Sequence, residues 1–202
     1  MEENETVVSR AFNVFGNITQ ELAQDFSEWC LQIEAEDVYF RQNYPEEPLP
    51  LVLINIASFG GECSALDMMM DALELLDCTV VTRALGYVAS CGLWLFALGD
   101  IRLASSNVQF MYHTILYSLD GRLIEHRKFL ENSRIMQKRY DNILLTKTTM
   151  TEKMLKSHVN EDWWFDRDTA LKYHLVTHDC KLSELCMIEN IIDEGCDECE
   201  GE

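Results

Sequence analysis

The sequence predicts an α/β fold built on a largely parallel β-sheet, and two observations support this. The apolar run LVLINIA at 51–57 is typical of a strand buried in a parallel sheet. Predicted strands and helices then alternate twice, with glycine at each turn from strand to helix. The chain has 202 residues, of which 48% are hydrophobic, so it can form one sizeable core.

The first half of the chain is predicted to contain two strands and two helices. RAFNVF at 10–15 has strand character and is closed by Gly16. A helix follows over about 19–36, capped by Asn17 or Thr19, and a polar loop leads to the strand at 51–57. The segment SFGGECS ends that strand. The next helix carries one apolar stripe, formed by Leu66, Met69, Met70, Leu73 and Leu76.

The second half continues the alternation with shorter strands. A strand at 78–85 runs to Gly86, and an apolar helix starts after Ser90. The remaining predicted elements are strands at 101–105 and 108–113, a helix from Gly121 to about Lys147, a helix from Thr151 and, after a break at VNED and the segment WWF, a helix at 166–174. We expect one domain over 1–186 and an acidic, flexible tail over 187–202.

Composition and charge exclude several classes of function. The net charge is −19, which argues against binding nucleic acid or anionic membranes through general electrostatics. No run of eighteen apolar residues occurs, and the N-terminus MEENETVVSR is acidic and polar, so neither a membrane span nor a signal peptide is predicted. A cytoplasmic location follows as the expectation.

The eight cysteines are interpreted as reduced thiols, since no secretory signal is predicted. One alternative is a zinc site formed by CDEC at 196–199 with His178, Cys180 and Cys186. Their spacing matches no usual zinc knuckle, so no metal is predicted. Neither GxGxxG nor GxxxxGK occurs, and no nucleotide or other cofactor is predicted.

The stretch GYVASCG at 86–92 places Ser90 immediately before an apolar helix. Ser90 can be an N-cap that accepts a hydrogen bond from the N–H of Leu93, which stabilises a helix by about 1 kcal/mol. Alternatively, it is a nucleophile held at the positive end of the helix. The local sequence alone favours the cap.

Serine chemistry also needs a base, a carboxylate and oxyanion donors, and the chain offers a candidate for each. His113 ends a predicted strand, although it can be merely a satisfied polar residue. Asp162 precedes two tryptophans, which would exclude water, although it can simply cap a turn. Gly60 and Gly61 follow a buried strand and can turn an N–H into a pocket or form only a tight turn.

Four blocks resemble, in order, motifs of the ClpP family of serine peptidases. They are SFGG at 58–61, GYVASCG at 86–92, MYH at 111–113 and DWWFDRDTA at 162–170. The family patterns are NSPGG, GxAASMG, MxH and DxFxS/TAxEA, and the resemblance covers about residues 10–180. Four blocks in order with comparable gaps are highly specific, and they favour the nucleophile over the cap.

The resemblance implies a role for each candidate residue. Ser90 becomes the nucleophile, His113 the general base, and Asp162 the residue that orients His113. The backbone N–H groups of Gly61 and Cys91 become the oxyanion hole.

The resemblance also implies a fold and an assembly. The fold is ClpP/crotonase-like, with stacked, mostly parallel sheets and a helix–strand handle over about 116–147. The activity is that of an ATP-dependent serine endopeptidase acting on peptides or unfolded proteins. Members form two stacked rings of seven and can dock to an ATP-driven AAA+ unfoldase.

Several positions depart from the family pattern. Phe59 and Ala57 replace the proline and asparagine before the glycines, HTILYS replaces HQPLGG, and Glu161 replaces an arginine. Two alternatives to the peptidase therefore remain. One is a catalytically silent, structural or regulatory ring subunit, and the other is a crotonase-type acyl-CoA hydratase or isomerase.

Overall fold

A computed structural model of the chain describes residues 9–179. The elements, in order, are β1 (Ala11–Ile18), α1 (Gln20–Asn43), β2 (Val52–Gly61), α2 (Cys63–Leu73), β3 (Val80–Ala89), α3 (Cys91–Ala97), β4 (Ile101–Ala104), β5 (Gln109–Tyr112), α4 (Leu123–Lys147), α5 (Glu152–Ser157), β6 (Trp163–Asp166), α6 (Arg167–Lys172) and β7 (His178–Asp179). The predicted acidic tail and the cysteines of the candidate zinc site lie outside the described residues.

The strands form one branched sheet. Its main path runs β1-β2-β3-β4-β7, and every pair along it is parallel. β5 pairs in parallel with the second half of β3, and β6 pairs antiparallel with β5. The α/β class with a mostly parallel sheet is confirmed. In place of the expected stacked sheets, the structure has one sheet in which β4 and β5 both pair with β3.

Two strands continue through glycines that were expected to end them. β1 passes Gly16, where φ is +81°, and β3 passes Gly86, where φ is +60°. At both places the register with β2 shifts, so each glycine lies in a bulge and not in a turn. The extra length of β3 carries its end from the predicted residue 85 to Ala89.

Helix α1 is also longer than predicted, because a distant ion pair stabilises its last two turns. Asp37, which is 4% exposed, lies 2.9 Å from a guanidinium nitrogen of Arg10. Arg10 also donates to the carbonyls of Pro50 (2.7 Å) and Leu51 (3.1 Å). This cluster joins the start of β1, the end of α1 and the entry to β2.

The core lies between the sheet and helices that pack on it. Helix α3 is buried along its whole length and contacts β2 and β3, while α1 packs against α2. Among residues 9–179, no helix is long and apolar enough to cross a membrane.

The segment expected to form the handle is a long helix preceded by an irregular loop. Residues 113–120 form no strand. Of the helix and strand expected in the handle, only the helix, α4, is therefore found in this segment. Its first half exposes several large apolar side chains, namely Leu123, Ile124, Phe129, Leu130 and Ile135.

Arg102 on β4 connects three separate parts of the chain. Its buried guanidinium donates to the carbonyls of Gly99 (2.7 Å), Lys147 (2.8 Å), His174 (2.9 Å) and Leu175 (2.8 Å). Burial lowers the pKa of Arg102 because it removes water from the guanidinium, and the four carbonyls are its hydrogen-bond acceptors in place of that water. These hydrogen bonds connect the end of α4 and the residues that follow α6 to strand β4 of the sheet.

We predict that Arg102→Met lowers the free energy of unfolding by about 3 kcal/mol, because buried carbonyls lose their donor. The measurement is urea denaturation at fixed protein concentration. Arg41→Met is the matched control, since Arg41 forms an exposed ion pair with Asp77, which contributes less than about 1 kcal/mol. Equal losses in the two variants would contradict this role for Arg102.

Candidate active site

Two parallel strands bring Ser90 and His113 to the same edge of the sheet. β3 ends at Ala89 and β5 at Tyr112, and the pairing of Ala89 with Met111 places the residues that follow side by side. The N–H of Ser90 donates to the carbonyl of Met111 (3.0 Å). Ser90 Oγ lies 2.7 Å from His113 Nε2, within hydrogen-bond distance.

The backbone of Ser90 has an unusual conformation. Its φ is 52° and its ψ is −125°, a region that costs a non-glycine residue on the order of 1–3 kcal/mol. Ser90 occupies the N-cap position of α3, but its side chain makes no capping hydrogen bond. The N–H of Leu93 is bound by the carbonyl of Ser90 (2.9 Å), which leaves the hydroxyl for His113.

The turn at Ser90 rests directly on the glycine pair at the end of β2. A Cβ added to Gly60, where φ is +97°, would lie 2.6 Å from Ser90 Cβ and 3.0 Å from Cys91 N. A Cβ on Gly61 would collide with the carbonyl of Ile18 on β1. Glycine is therefore required at both positions by close approach.

The peptide groups around this turn include the two expected oxyanion donors. Cys91 is the first residue of α3, so its N–H has no acceptor within the helix. Its thiol donates to the carbonyl of Gly61 (3.4 Å), which holds the two backbones together. Ser58 Oγ, for which no pattern in the sequence predicts a role, accepts from the N–H of Gly60 (3.0 Å) and supports the same turn.

His113 is half-buried, and its surroundings favour the neutral imidazole. Burial lowers the pKa of His113 from its ordinary value of 6.5, and the nearby charge of Asp162 opposes this shift. A neutral imidazole that accepts from a serine hydroxyl is the arrangement required for general-base activation of serine.

Asp162 lies next to His113 but is not hydrogen-bonded to it. The antiparallel pairing of β5 and β6 places Tyr112 opposite Trp163, so His113 and Asp162 follow as the next pair. Both line one open pocket, together with Thr114, Leu116 and residues 159–161. Among the described residues, the buried Nδ1 of His113 has no hydrogen-bond partner, and the Asp162 side chain is exposed.

An exposed row of aromatic side chains borders the site. Phe59 stacks on Tyr87 with ring centroids 4.9 Å apart, and Trp164 meets Tyr87 edge-on at 6.2 Å. These rings are 59%, 49% and 44% exposed, respectively. The strand register that unites them could not be read from the sequence, where they lie far apart.

No group of three or more histidine, cysteine, aspartate or glutamate side chains within residues 9–179 is arranged to hold a metal ion. The site is thus described by the serine, the histidine, the neighbouring carboxylate and the glycine-rich backbone.

Comparison with known proteins extends this result from the site to most of the chain. The sequence model of the Clp protease family matches residues 6–179. The proteolytic subunit of the ATP-dependent Clp protease from Paracoccus denitrificans is 28% identical over 165 residues, which cover 81% of this chain and 77% of the relative. Proteolytic subunit 2 from Borreliella burgdorferi is 24% identical over 170 residues, covering 83% and 81%.

A third relative, proteolytic subunit 2 from Pseudomonas aeruginosa, is 22% identical over 81% of this chain and 77% of its own length. These identities are low, but the family match spans the whole described fold, including every strand of the sheet. The chain belongs to the Clp protease family, as a divergent member.

Proposed function

We propose that the chain is a serine endopeptidase that hydrolyses peptides or unfolded proteins through an acyl-enzyme. Membership of the Clp protease family supports a peptidase function. The observation that carries the proposal is the 2.7 Å contact between Ser90 Oγ and His113 Nε2 at a strained turn from strand to helix.

In the proposed mechanism, Ser90 Oγ attacks the scissile carbonyl carbon while His113 Nε2 takes the hydroxyl proton. The N–H groups of Gly61 and Cys91 stabilise the negative charge on the carbonyl oxygen. His113 then gives its proton to the leaving amine, and a water molecule, activated by the same imidazole, releases the acyl group from Ser90.

Asp162 is proposed to orient His113 and to stabilise the imidazolium. Two observations support this role: within residues 9–179 no group hydrogen-bonds to Nδ1 of His113, and Asp162 is the cross-strand neighbour of that histidine. A hydrogen bond between them requires the exposed carboxylate to turn into the shared pocket. A bound peptide or a neighbouring subunit that covers this pocket would favour that rotamer by removing water from it.

The exposed aromatic row also agrees with a polypeptide substrate. Three rings beside the nucleophile offer apolar contact for side chains of an extended peptide. The crotonase-type alternative uses carboxylates in place of a serine–histidine pair, so the contact between Ser90 and His113 favours the peptidase.

One observation favours a silent structural subunit, namely the absence of a hydrogen bond at Nδ1 of His113 within the described residues. Active-site labelling of the wild-type chain separates the two functions, because a silent subunit does not react with a fluorophosphonate.

We expect the assembly to consist of two stacked rings of seven that can dock to an AAA+ unfoldase. The relatives are named as subunits of an ATP-dependent protease, and the exposed apolar side chains on α4 suit a contact between copies. The cytoplasmic location expected from the sequence likewise stays a prediction.

Ser90→Ala is predicted to abolish fluorophosphonate labelling and to lower kcat for a peptide substrate on the order of a million-fold. The nucleophile is removed while the backbone of the turn is kept. Labelling followed by mass spectrometry of the intact chain is the measurement, with exposed Ser106→Ala as the control serine. Undiminished labelling of the Ser90 variant would exclude Ser90 as the nucleophile.

The labelling rate of the wild-type chain is predicted to rise with pH and reach half its maximum below pH 6.5. Burial lowers the pKa of His113, so the imidazole becomes neutral, and competent as a base, at a lower pH than free histidine. Asp162→Asn should move the midpoint further toward acid, because the charge that raises this pKa is removed.

The same variant should lower kcat on the order of ten-thousand-fold if Asp162 orients the imidazole. Asp168→Asn is the matched control, since Asp168 is an exposed aspartate on α6 and its substitution removes the same charge outside the turn that precedes Asp162. An unchanged rate and midpoint in Asp162→Asn would remove Asp162 from the mechanism.

Ile135→Glu is predicted to convert the assembly into smaller species, because it places a charge on the apolar surface of α4. Ile135 is 68% exposed in the single chain. Native mass spectrometry provides the measurement, against a chain mass of 23.4 kDa. Gln42→Glu on α1 adds the same charge elsewhere and should leave the assembly intact, and an intact assembly in Ile135→Glu would exclude this surface.

A further inference from the structure

The thiols of Cys63 and Cys91 form a hydrogen bond beside the candidate nucleophile, although 27 residues separate them in the chain. Cys63 is the first residue of α2 and Cys91 the first of α3, and the two helices start together because Gly60 packs on Ser90. Cys91 is 1% exposed, and its Sγ lies 3.4 Å from the carbonyl oxygen of Gly61, two residues before Cys63. Cys63 is half-buried and therefore within reach of small molecules.

The hydrogen bond between the two thiols lowers the pKa of Cys63 and raises the pKa of Cys91. A hydrogen bond with Cys91 lowers the pKa of Cys63 to about 7, so a large fraction is thiolate at neutral pH. The pKa of Cys91 is strongly raised, because it hydrogen-bonds to Cys63 and is buried. The pair thus releases one proton near neutrality and retains the other.

Two groups besides Cys91 act on Cys63, namely Asp67 one turn later on α2 and Tyr140 on α4. Tyr140 Oη lies 2.7 Å from Asp67 Oδ1 and 3.2 Å from the carbonyl oxygen of Cys63, and a hydrogen bond from its hydroxyl helps to lower the pKa of Cys63. The carboxylate of Asp67 acts in the opposite direction but is paired with Arg139 at 2.5 Å, which moderates its effect. The thiolate of Cys63 is therefore stabilised by neighbours on α3 and α4.

A second pair of cysteines in the core provides an internal contrast. Cys30 and Cys78 are both buried, and burial raises their pKa values to about 12 and about 11. Thiols with such values carry almost no thiolate at neutral pH, so they react slowly with oxidants. Cys63 differs from them in both exposure and acidity.

We propose that Cys63 is an oxidation site for hydroperoxides, and that a disulfide between Cys63 and Cys91 reversibly inactivates the Ser90 site. The effect on activity rests on the proposed function, whereas the thiol chemistry does not.

The reaction consumes one peroxide and two thiols. The Cys63 thiolate attacks one peroxide oxygen, an S–O bond forms, the O–O bond breaks, and the departing alkoxide or hydroxide takes up a proton. The sulfur of Cys91 then attacks the sulfenic sulfur of Cys63 and loses its proton, while hydroxide leaves and forms water. Two electrons pass from the two thiols to the peroxide. The sulfenic acid of Cys63 is uncharged. The thiolate charge that raised the pKa of Cys91 is therefore lost at this step, and Cys91 can release its proton.

The disulfide changes the candidate oxyanion hole. Without its proton, Cys91 Sγ can no longer donate to the carbonyl of Gly61, and the S–S bond draws the first residue of α3 toward α2. The two N–H groups proposed to bind the oxyanion belong to Gly61 and Cys91. Loss of such a donor reduces turnover on the order of 100-fold to 1,000-fold.

The experiment treats the full-length chain with hydrogen peroxide and follows two readouts. Peptide mapping by mass spectrometry without reductant identifies the linked cysteines, and the rate of fluorophosphonate labelling reports on Ser90. We expect a peptide linking Cys63 to Cys91, a labelling rate reduced on the order of 100-fold, and recovery with dithiothreitol. The rate of linkage should rise with pH through about 7, as Cys63 ionises.

Two variants act as controls. Cys63→Ser should label normally before peroxide and keep its rate afterwards, while Cys78→Ala should lose activity as the wild-type chain does. Absence of the Cys63–Cys91 linkage, linkage without loss of labelling, or equal loss of labelling in Cys63→Ser would each overturn the proposal. A wild-type chain that links these cysteines but never labels, even before peroxide, would instead refute the peptidase function.

Discussion

The parallel pairing of β3 with β5 is the constraint on which the rest of the site depends. It brings together two strand ends that are 23 residues apart in the chain. The hydrogen bond from Ser90 N–H to the Met111 carbonyl fixes the position of one strand end relative to the other along the strand direction. Because both strands end at the same edge, a hydroxyl and an imidazole meet without any contribution from the loops. The bulge at Gly86 makes this possible, since it lets β3 pair with β4 through its first half and with β5 through its second.

The glycine pair at the end of β2 provides the second constraint. Neighbouring atoms leave no room for a Cβ at either position, and Gly60 also has a positive φ. Gly60 leaves room for the Ser90 turn, and Gly61 leaves room for the backbone of β1. Three segments that are distant in sequence therefore approach within van der Waals contact, which is why the strained backbone of Ser90 is held in place. The same close approach brings Cys63 to Cys91, so the reactive thiol pair is a by-product of the packing that shapes the nucleophile.

The sequence predicted the order and type of the main elements, because apolar runs and helical periodicity are local properties. It placed the ends of β1 and β3 wrongly, since a glycine with positive φ serves a bulge as readily as a turn, and only strand pairing decides between them. The end of α1 was missed because Asp37 is stabilised by Arg10, a residue 27 positions away. Locally, Ser90 was more consistent with a cap than a nucleophile. Ordered motifs favoured the nucleophile, and the geometry now shows a hydroxyl that caps nothing and lies against an imidazole.

The position of Asp162 follows from how the preceding turn is held. His158 stacks on Trp163 with ring centroids 4.3 Å apart, and its Nδ1 lies 2.8 Å from Glu161 Oε1. The turn is thereby fixed at both ends, while the carboxylate of Asp162 faces water beside His113. Its attraction for an imidazolium is weak in water and grows as the local dielectric falls. In the proposed mechanism, an occupant that closes this pocket would strengthen that attraction at the moment when His113 gains a proton, so substrate binding would itself complete the proposed triad.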